Sequence, residues 1–167
     1  PRFSGGWLRR PEPSDSSATI YAALDSPSVT GAYRFVITPG EDTTVEVTMR
    51  LFLRKDIKQL GIAPLTSMFL HNGADKGSFD DFRPSVHDSE VLVLNAGKDA
   101  TLCRPLNNPP RLASSYFGAQ SPRSFGLAQR NRDFEHYLDA QAHYERRPSL
   151  MIEPMGDWGK GTVRLVE

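Results

Sequence analysis

Alternation of apolar and polar side chains in residues 43–54, interrupted at Phe52, constrains the fold more than any other feature of this 167-residue chain. Val45, Val47 and Met49 fall on one side of an extended segment, and Leu51 and Leu53 continue the same side. A period of two residues is typical of a β-strand and does not fit a helix. The pattern therefore predicts a long strand with one buried face and one largely solvent-exposed face.

Similar short segments recur along the chain, separated by turns. Further strands are predicted at 18–25, 31–38, 65–71, 91–96, 124–130, 149–154 and 161–167, with 26–30 as a hairpin connection. Thirteen glycines and thirteen prolines oppose long helices, and only 132–145 has apolar spacing that allows a helical turn or two. Many strands, few helices and frequent turns predict an all-β sandwich or barrel in a single domain.

Two long segments, 72–90 and 97–123, do not fit a compact hairpin and are predicted as loops. Loops of that length often carry function. The first contains FRPSVHDSE (82–90), which places an arginine, a histidine and two acids within nine residues. This stretch is either a solvated turn at a strand end or part of a site.

Charge and cysteine content exclude several classes of protein. Twenty basic and twenty acidic residues give a net charge of zero, without the basic clusters that nucleic-acid binding requires, so a sugar or another protein is a better-matched partner. Cys103 is the single cysteine, so neither a disulfide framework nor a cysteine zinc site is expected. No apolar run reaches membrane-spanning length and no signal peptide is visible. Because the chain starts at Pro1 and stops inside a predicted strand, we expect it to be a piece of a longer protein.

The ordered motifs resemble one known family. They are ATIYAALDSPSVTGAY (18–33), GIAPLTSMFL (61–70), FRPSVHDS (82–89), RPLNNP (104–109), FGLAQRNRDFEHY (125–137) and RRPSLMIEPMGDWGKGTVRLVE (146–167). Together they resemble the periplasmic glucan biosynthesis proteins of the MdoG/OpgG and OpgD type across essentially the whole chain. The resemblance implies a periplasmic protein that acts on osmoregulated glucans with a β-1,2-linked glucose backbone.

The resemblance also implies a fold and an activity. The family's large N-terminal domain is a β-sandwich of the galactose-mutarotase type, followed by an immunoglobulin-like domain, and some members hydrolyse β-1,2-glucan with inversion. Residues 1–167 would then be a single partial sandwich domain, with the remaining strands and the second domain outside it. Since a sandwich cut within its sheets exposes strand edges, self-association as a homodimer is a further expectation.

Inverting hydrolysis needs one carboxyl group to protonate the leaving oxygen and another to activate water. By resemblance, the acid of the HDS motif is on the water-activating side, which is Asp88 in this chain, and the proton donor is expected beyond Glu167. The alternative for Asp88 is a turn residue that accepts backbone N–H bonds. His87 is either an orienting group for Asp88 or a sugar, or a surface residue, and Glu90 is interpreted as solvated.

Arginines and one further acid are candidate glucan-binding residues. Arg130, Arg132 and Asp133 can hydrogen-bond adjacent sugar hydroxyls, and strand alternation would send the two arginines to one side; the alternative is a local Arg–Asp salt bridge. Arg83 and Arg104 each precede a proline, and each is either a ligand contact or a structural arginine.

Aromatic rings can stack on the C–H faces of sugars, although in an all-β protein they are more often core residues. Trp158 is the strongest candidate because glycines flank its segment; the others are Tyr116, Phe117, Tyr137 and Tyr144. Nothing in the sequence suggests a metal or cofactor.

The chain departs from the family pattern at one loop. Val91 stands where relatives carry a glycine, and Thr101 and Cys103 stand where relatives carry tryptophans. Three functions therefore remain: a glucan hydrolase, a non-catalytic glucan-binding or backbone-organising protein, and a structural β-module that binds protein partners through an exposed apolar patch.

Overall fold

Extended backbone dominates the computed structural model, which describes residues 1–78, 80–97 and 100–167. Strands hold 46% of the structure and helical turns only 4%, and the sheets are open rather than closed on themselves. The all-β prediction is therefore confirmed, and the open sheets agree with a sandwich rather than a barrel. None of the helical segments in these ranges has the length or apolar character needed to span a bilayer.

The chain divides into two compact units, Pro1–Ile62 and Ala63–Glu167, called unit 1 and unit 2 below. Unit 1 is a four-stranded antiparallel sheet in which each strand pairs with the next one along the chain. Its strands are β1 (Arg2–Leu8), β2 (Ala18–Asp25), β3 (Val29–Thr38) and β4 (Thr44–Leu53). The predicted strands β2, β3 and β4 and the hairpin between the first two are confirmed. That one partial domain holds both units stays a prediction.

The predicted burial of one β4 face is wrong. Val45, Val47 and Leu53 on the supposedly buried face are 48%, 46% and 59% exposed. The physical reason is that β4 is the last strand in its sheet order, so its side chains have a neighbouring strand on one side only. Alternation fixes which residues share a face, but it does not ensure that anything covers that face.

Unit 2 contains shorter strands in three small antiparallel sheets. Their orders are β11-β10-β7-β8, β12-β9 and β5-β6. The strands are β5 (Phe69–His71), β6 (Val86–His87), β7 (Val91–Gly97), β8 (Ala100–Pro105), β9 (Ser114–Gln120), β10 (Ser124–Ala128), β11 (Leu150–Ile152) and β12 (Lys160–Val166). The helical turns predicted within 132–145 are present as 3₁₀ segments at Phe134–His136 and Tyr144–Arg146.

The prediction of two long loops is partly wrong. β6 lies within 72–90, and β8 and β9 occupy much of 97–123. These strands escape pattern analysis because β6 has two residues, β8 ends on a proline, and β9 is rich in serine and glycine; they are held by pairing with β5, β7 and β12. The parts of these loop predictions that fall on Phe79, Lys98 and Asp99 lie outside the described residues.

A small aromatic core organises unit 2. Val86, Tyr137 and Tyr144 are buried together, and Leu70 and Ala142 pack against them. Tyr137 is fully buried, and its hydroxyl donates to the Asn131 carbonyl at 3.2 Å. This core brings the strand pair β5–β6 against the two 3₁₀ segments.

Candidate functional site

Asp88 follows β6 directly and is fixed by contacts across to the β5 segment. Its backbone N–H donates to the Met68 carbonyl at 2.7 Å, and its Oδ2 accepts from the Met68 N–H at 3.2 Å. The other oxygen, Oδ1, lies 3.3 Å from Arg147 Nε, and the Asp88 side chain remains 33% exposed. Asp88 does accept a backbone N–H, as its turn alternative required, but from a residue 20 positions away rather than from a local turn.

Arg147, which directly follows the second 3₁₀ segment, forms an ion pair with Asp88. Its guanidinium carbon lies 5.8 Å from the centre of the Tyr144 ring, so the cation rests on an aromatic face. Its backbone N–H donates to the Tyr144 carbonyl at 3.1 Å, and the next residue is Pro148, which keeps the chain extended. The ion pair between Asp88 and Arg147 therefore joins two segments that are remote in sequence.

His87 lies inside the protein, so the alternative of a surface histidine is wrong. The residue is 1% exposed, its ring stacks on Phe69 at 5.5 Å, and it meets the edge of Tyr137 at 5.3 Å. Burial lowers the pKa of His87, although the Glu90 charge and Gln129 act in the opposite direction. The ring is thus a packing element of the unit 2 core, and its role as an orienting group for Asp88 stays a prediction.

Gln129, the residue after β10, connects further parts of the same region. Its Nε2 donates to the carbonyls of His87 and Tyr144, each at 3.1 Å. The side chain of Gln129 is buried and connects the histidine strand to the second 3₁₀ segment. A buried amide used in this way fixes the spacing of the backbones that carry Asp88 and Arg147.

Arg83 is enclosed by two carboxylates. Its Nη2 lies 2.6 Å from Asp81 Oδ2, and its Nη1 lies 2.6 Å from Asp139 Oδ2. Hydrogen bonds from Arg83 hold the pKa of Asp81 well below its usual range. The Ala142 N–H and then Arg83 lower the pKa of Asp139. Arg83 therefore ties the loop before β6 to the segment between the 3₁₀ turns, and this geometry supports the structural alternative.

Glu90 and Arg130 form a further carboxylate–arginine pair near the core. The interpretation of Glu90 as solvated is wrong, because the residue is 6% exposed and its carboxylate binds Arg130 Nε at 2.8 Å. Burial by itself raises the pKa of Glu90, but the hydrogen bonds and charge of Arg130 outweigh it and leave the pKa below its ordinary value.

The other two members of the predicted arginine–acid group behave differently. The strand β10 ends at Ala128, so strand alternation does not extend to Arg130 and Arg132. Arg132 donates to the Arg147 carbonyl and, at 3.1 Å, to Ser149 Oγ, so it supports the segment that carries Arg147. Asp133 is exposed at the start of the first 3₁₀ segment. The salt bridge of this stretch joins Arg130 to Glu90 and not to Asp133, because burial of Glu90 leaves its carboxylate dependent on a cation.

Arg104 and Trp158 have their described contacts elsewhere in unit 2. Arg104 Nη2 donates to Glu167 Oε2 at 2.8 Å, which connects the end of β8 with the residue after β12. Trp158 is 42% exposed and meets Phe125 edge-on at 6.4 Å, in a turn where Gly156 and Gly159 have φ of +82° and +69°.

The Asp88–Arg147 and Glu90–Arg130 pairs lie near different members of a buried tyrosine pair. Tyr137 and Tyr144 have ring centres 6.0 Å apart. Burial raises the pKa of Tyr137 to about 12, and the Glu90 charge acts in the same direction. Burial also raises the pKa of Tyr144, with Asp139 and Asp88 adding to it. The structure thus brings Asp88, His87, Arg83 and Arg130 together around one core.

The sequence did not reveal four contacts: that of Arg147 with Asp88, that of Tyr144 with Arg147, the hydrogen bonds of Gln129, and the binding of Arg130 by Glu90. Arg147 carries the same Arg–Pro signal as Arg83 and Arg104, so it was open to detection. Within the described residues, no three His, Cys, Asp or Glu side chains cluster in a metal-binding arrangement. The arrangement offers a one-third exposed Asp88 carboxylate next to the Arg147 guanidinium, which suits binding of hydroxyls or activation of water.

Comparison with known proteins identifies the family of this chain. The sequence profile of the family described as "Periplasmic glucan biosynthesis protein, MdoG" matches residues 1–167. The chain is 62% identical to glucans biosynthesis protein G of Cereibacter sphaeroides over 167 residues, which is all of this chain and 31% of that protein. It is 53% and 52% identical to proteins of the same name from Pseudomonas entomophila and Pseudomonas putida, covering 29% of each. The chain therefore spans less than a third of the length of these relatives. Since the family profile covers its full length, the chain belongs to the family of periplasmic glucan biosynthesis proteins, MdoG.

Proposed function

We propose that this chain belongs to a periplasmic protein of glucan biosynthesis and carries part of its glucan site. The names of the relatives support the pathway and the substrate class. The substrate that we propose is a glucan with a β-1,2-linked glucose backbone. No cofactor is part of the proposal.

One observation supports the site above others: an Asp88 carboxylate that is one-third exposed is held at a fixed position by Met68 and Arg147. A group that must accept a proton or a hydroxyl hydrogen bond needs both solvent access and a fixed direction. The backbone bond from the Asp88 N–H to the Met68 carbonyl and the burial of the preceding residue, His87, support that fixed position.

In the hydrolase form of the proposal, Asp88 accepts a proton from the water that attacks the anomeric carbon. The leaving oxygen takes its proton from a second carboxylic acid about 6.5–9.5 Å away. Nearby carboxylates of unit 2 are engaged with cations, as Asp81, Asp139, Glu90 and Glu145 are. We therefore propose that the general acid comes from a part of the full-length gene product outside residues 1–167.

A second candidate function, non-catalytic binding or organisation of the glucan backbone, is favoured by two observations. Both Asp88 oxygens already have partners, because Oδ1 lies 3.3 Å from Arg147 Nε and Oδ2 accepts from the Met68 N–H, which suits hydroxyl binding better than water activation. Thr101 and Cys103, which replace the expected tryptophans, are exposed on β8.

The test uses the full-length gene product with linear β-1,2-glucan, and it follows both new reducing ends and binding by calorimetry. Turnover in the wild type that falls at least about 10³-fold in Asp88→Asn supports hydrolysis, given what general bases contribute. Asp42→Asn, an exposed acid of unit 1, is the matched control and should keep full activity. Binding without turnover selects the non-catalytic form, and neither binding nor turnover contradicts both forms.

A further inference from the structure

Glu90 is a buried carboxylate whose backbone is fixed on both sides. Its N–H donates to the Ala128 carbonyl at 2.9 Å, and its own carbonyl accepts from the Leu106 N–H at 2.9 Å. The residue therefore joins the end of β10 to the segment after β8. A carboxylate on such a backbone has little freedom to change direction.

Arg130 meets this carboxylate through three N–H groups. Its backbone N–H and its Nε donate to Oε1 at 3.1 and 2.8 Å, and its Nη2 donates to Oε2 at 3.3 Å. The side chain of Arg130 is nevertheless 74% exposed, whereas that of Glu90 is 7% exposed. The carboxylate thus holds one edge of the guanidinium from inside, and the opposite edge faces solvent.

This geometry differs from that of an ordinary surface arginine. A long exposed side chain loses rotamer freedom when it binds a ligand, which costs about 0.5–1.5 kcal/mol. Arg130 has already lost much of that freedom to Glu90, so a ligand that contacts its outer edge gains a donor already oriented for binding. Burial of the Glu90 carboxylate costs desolvation free energy, and a weak surface contact would not offset that cost; the hydrogen bonds from Arg130 must do so.

The charge of the pair indicates the ligand class. Glu90 and Arg130 together carry no net charge, so an anion would meet the repulsion of the carboxylate as well as the attraction of the guanidinium. A neutral polyhydroxyl compound has no such conflict, and its hydroxyl oxygens accept from guanidinium N–H groups.

We propose that Glu90 is a positioning residue that holds Arg130 outward as a hydrogen-bond donor to a hydroxyl of the glucan. The inference rests on the proposed function, because it takes the glucan as the ligand. Glu90 itself does not contact the ligand, and its effect on binding passes through Arg130.

The test is a double-mutant cycle on the full-length gene product with a linear β-1,2-glucan oligosaccharide as probe. Arg130→Gln should weaken binding about tenfold, as expected for loss of one charge-assisted hydrogen bond. Glu90→Gln keeps the shape but removes the charge, and it should weaken binding by a similar factor. The double variant should be no weaker than Arg130→Gln alone.

A second readout separates positioning from a structural role. The NMR signal of the Arg130 Nε–H should report a rigid side chain in the wild type and a mobile one in Glu90→Gln, with the unfolding midpoint recorded for each variant. The matched control is Glu46→Gln in unit 1. This change removes the exposed carboxylate that lies 3.9 Å from Arg34, and it should leave glucan binding unchanged.

Four results would overturn the inference. They are glucan binding unaffected by Arg130→Gln, additive effects in the double variant, an Arg130 side chain that is equally ordered in Glu90→Gln, or displacement of the glucan by inorganic phosphate at this position. Absence of glucan binding in the wild type would instead contradict the proposed function, and the ligand assignment made here would fall with it.

Discussion

Units 1 and 2 differ in the length of their strands and in the kind of side chain that they bury. Unit 1 has strands of 7 to 10 residues joined in sequence order, and much of its apolar surface, including Phe3 and Val45, is exposed. Unit 2 has strands of 2 to 7 residues, yet it contains every buried polar side chain found among the described residues. Regular strands make a sheet in unit 1, while unit 2 relies on loops and buried polar contacts.

The ion pairs of the two units differ in how firmly they fix their side chains. The ion pair Arg34–Glu46 of unit 1 spans 3.9 Å between half-exposed side chains and is worth little. The Glu90–Arg130 pair has a buried carboxylate, the Asp88–Arg147 pair is partly exposed, and both pairs join segments remote in sequence. Side chains fixed by such long-range contacts hold their direction, as a binding or catalytic group must.

The largest expected difference between the units is in packing. Tyr137→Ala removes the fully buried ring at the centre of unit 2 and should lower the free energy of unfolding by about 3–5 kcal/mol. Val47→Ala in unit 1 alters a side chain that is 46% exposed and should cost less than about 1 kcal/mol. Chemical denaturation of the full-length gene product measures both. A cost for Val47→Ala close to that of Tyr137→Ala would break the comparison, because it would mean that this face is covered in the full-length protein.

A smaller difference should appear in the ionic contacts. Arg83→Met leaves Asp81 and Asp139 without their shared cation and should lower the melting temperature by about 3–6 °C. Arg34→Met in unit 1 removes an exposed pair and should change it by less than about 1 °C. Scanning calorimetry provides the measurement, and equal shifts for the two variants would show that the Arg83 network is no more structural than a surface pair.

The smallest effect is a pH dependence that originates in unit 2. Burial lowers the pKa of His87, so the unfolded chain binds a proton at a higher pH than the folded one. Stability is therefore fully present above the unfolded value of about 6.5 and is lost as the pH falls through the folded value, with each pKa unit worth about 1.4 kcal/mol.

The variant His87→Phe should remove the loss of stability between pH 7 and pH 5 while keeping the ring contacts with Phe69 and Tyr137. Melting temperatures recorded across that range test this. An unchanged slope in the variant would assign the pH dependence to other groups. The carboxylates with lowered pKa, such as Glu90, act at lower pH, below about 4.

The same contrast explains how far the sequence predicts the structure. β2, β3 and β4 were predictable because their own side-chain alternation specifies them, whereas β8 and β9 owe their conformation to partner strands. Asp88, His87 and Arg83 share one motif and were found together. The contacts of Arg147 with Asp88 and of Glu90 with Arg130 span 59 and 40 positions, and no local pattern records such distances.

The burial of individual residues was less predictable than their positions. Glu90 and His87 lie in a stretch whose composition is typical of a surface loop. Their burial is tolerated because Arg130 binds the Glu90 carboxylate and Phe69 stacks on the His87 ring. Val45 and Val47 are apolar in a regular strand, yet they remain exposed because β4 lies last in its sheet. Burial depends on what the rest of the fold supplies as a partner, and that information is not local.

The most direct test of the central claim, that the glucan site lies on the loops of unit 2, is hydrogen–deuterium exchange of the full-length gene product with and without linear β-1,2-glucan. We predict slower exchange on glucan addition at residues 67–69, 86–90, 129–132 and 144–148, with unit 1 unchanged. Protection confined to the strands of unit 1, with none in these four segments, would contradict the claim.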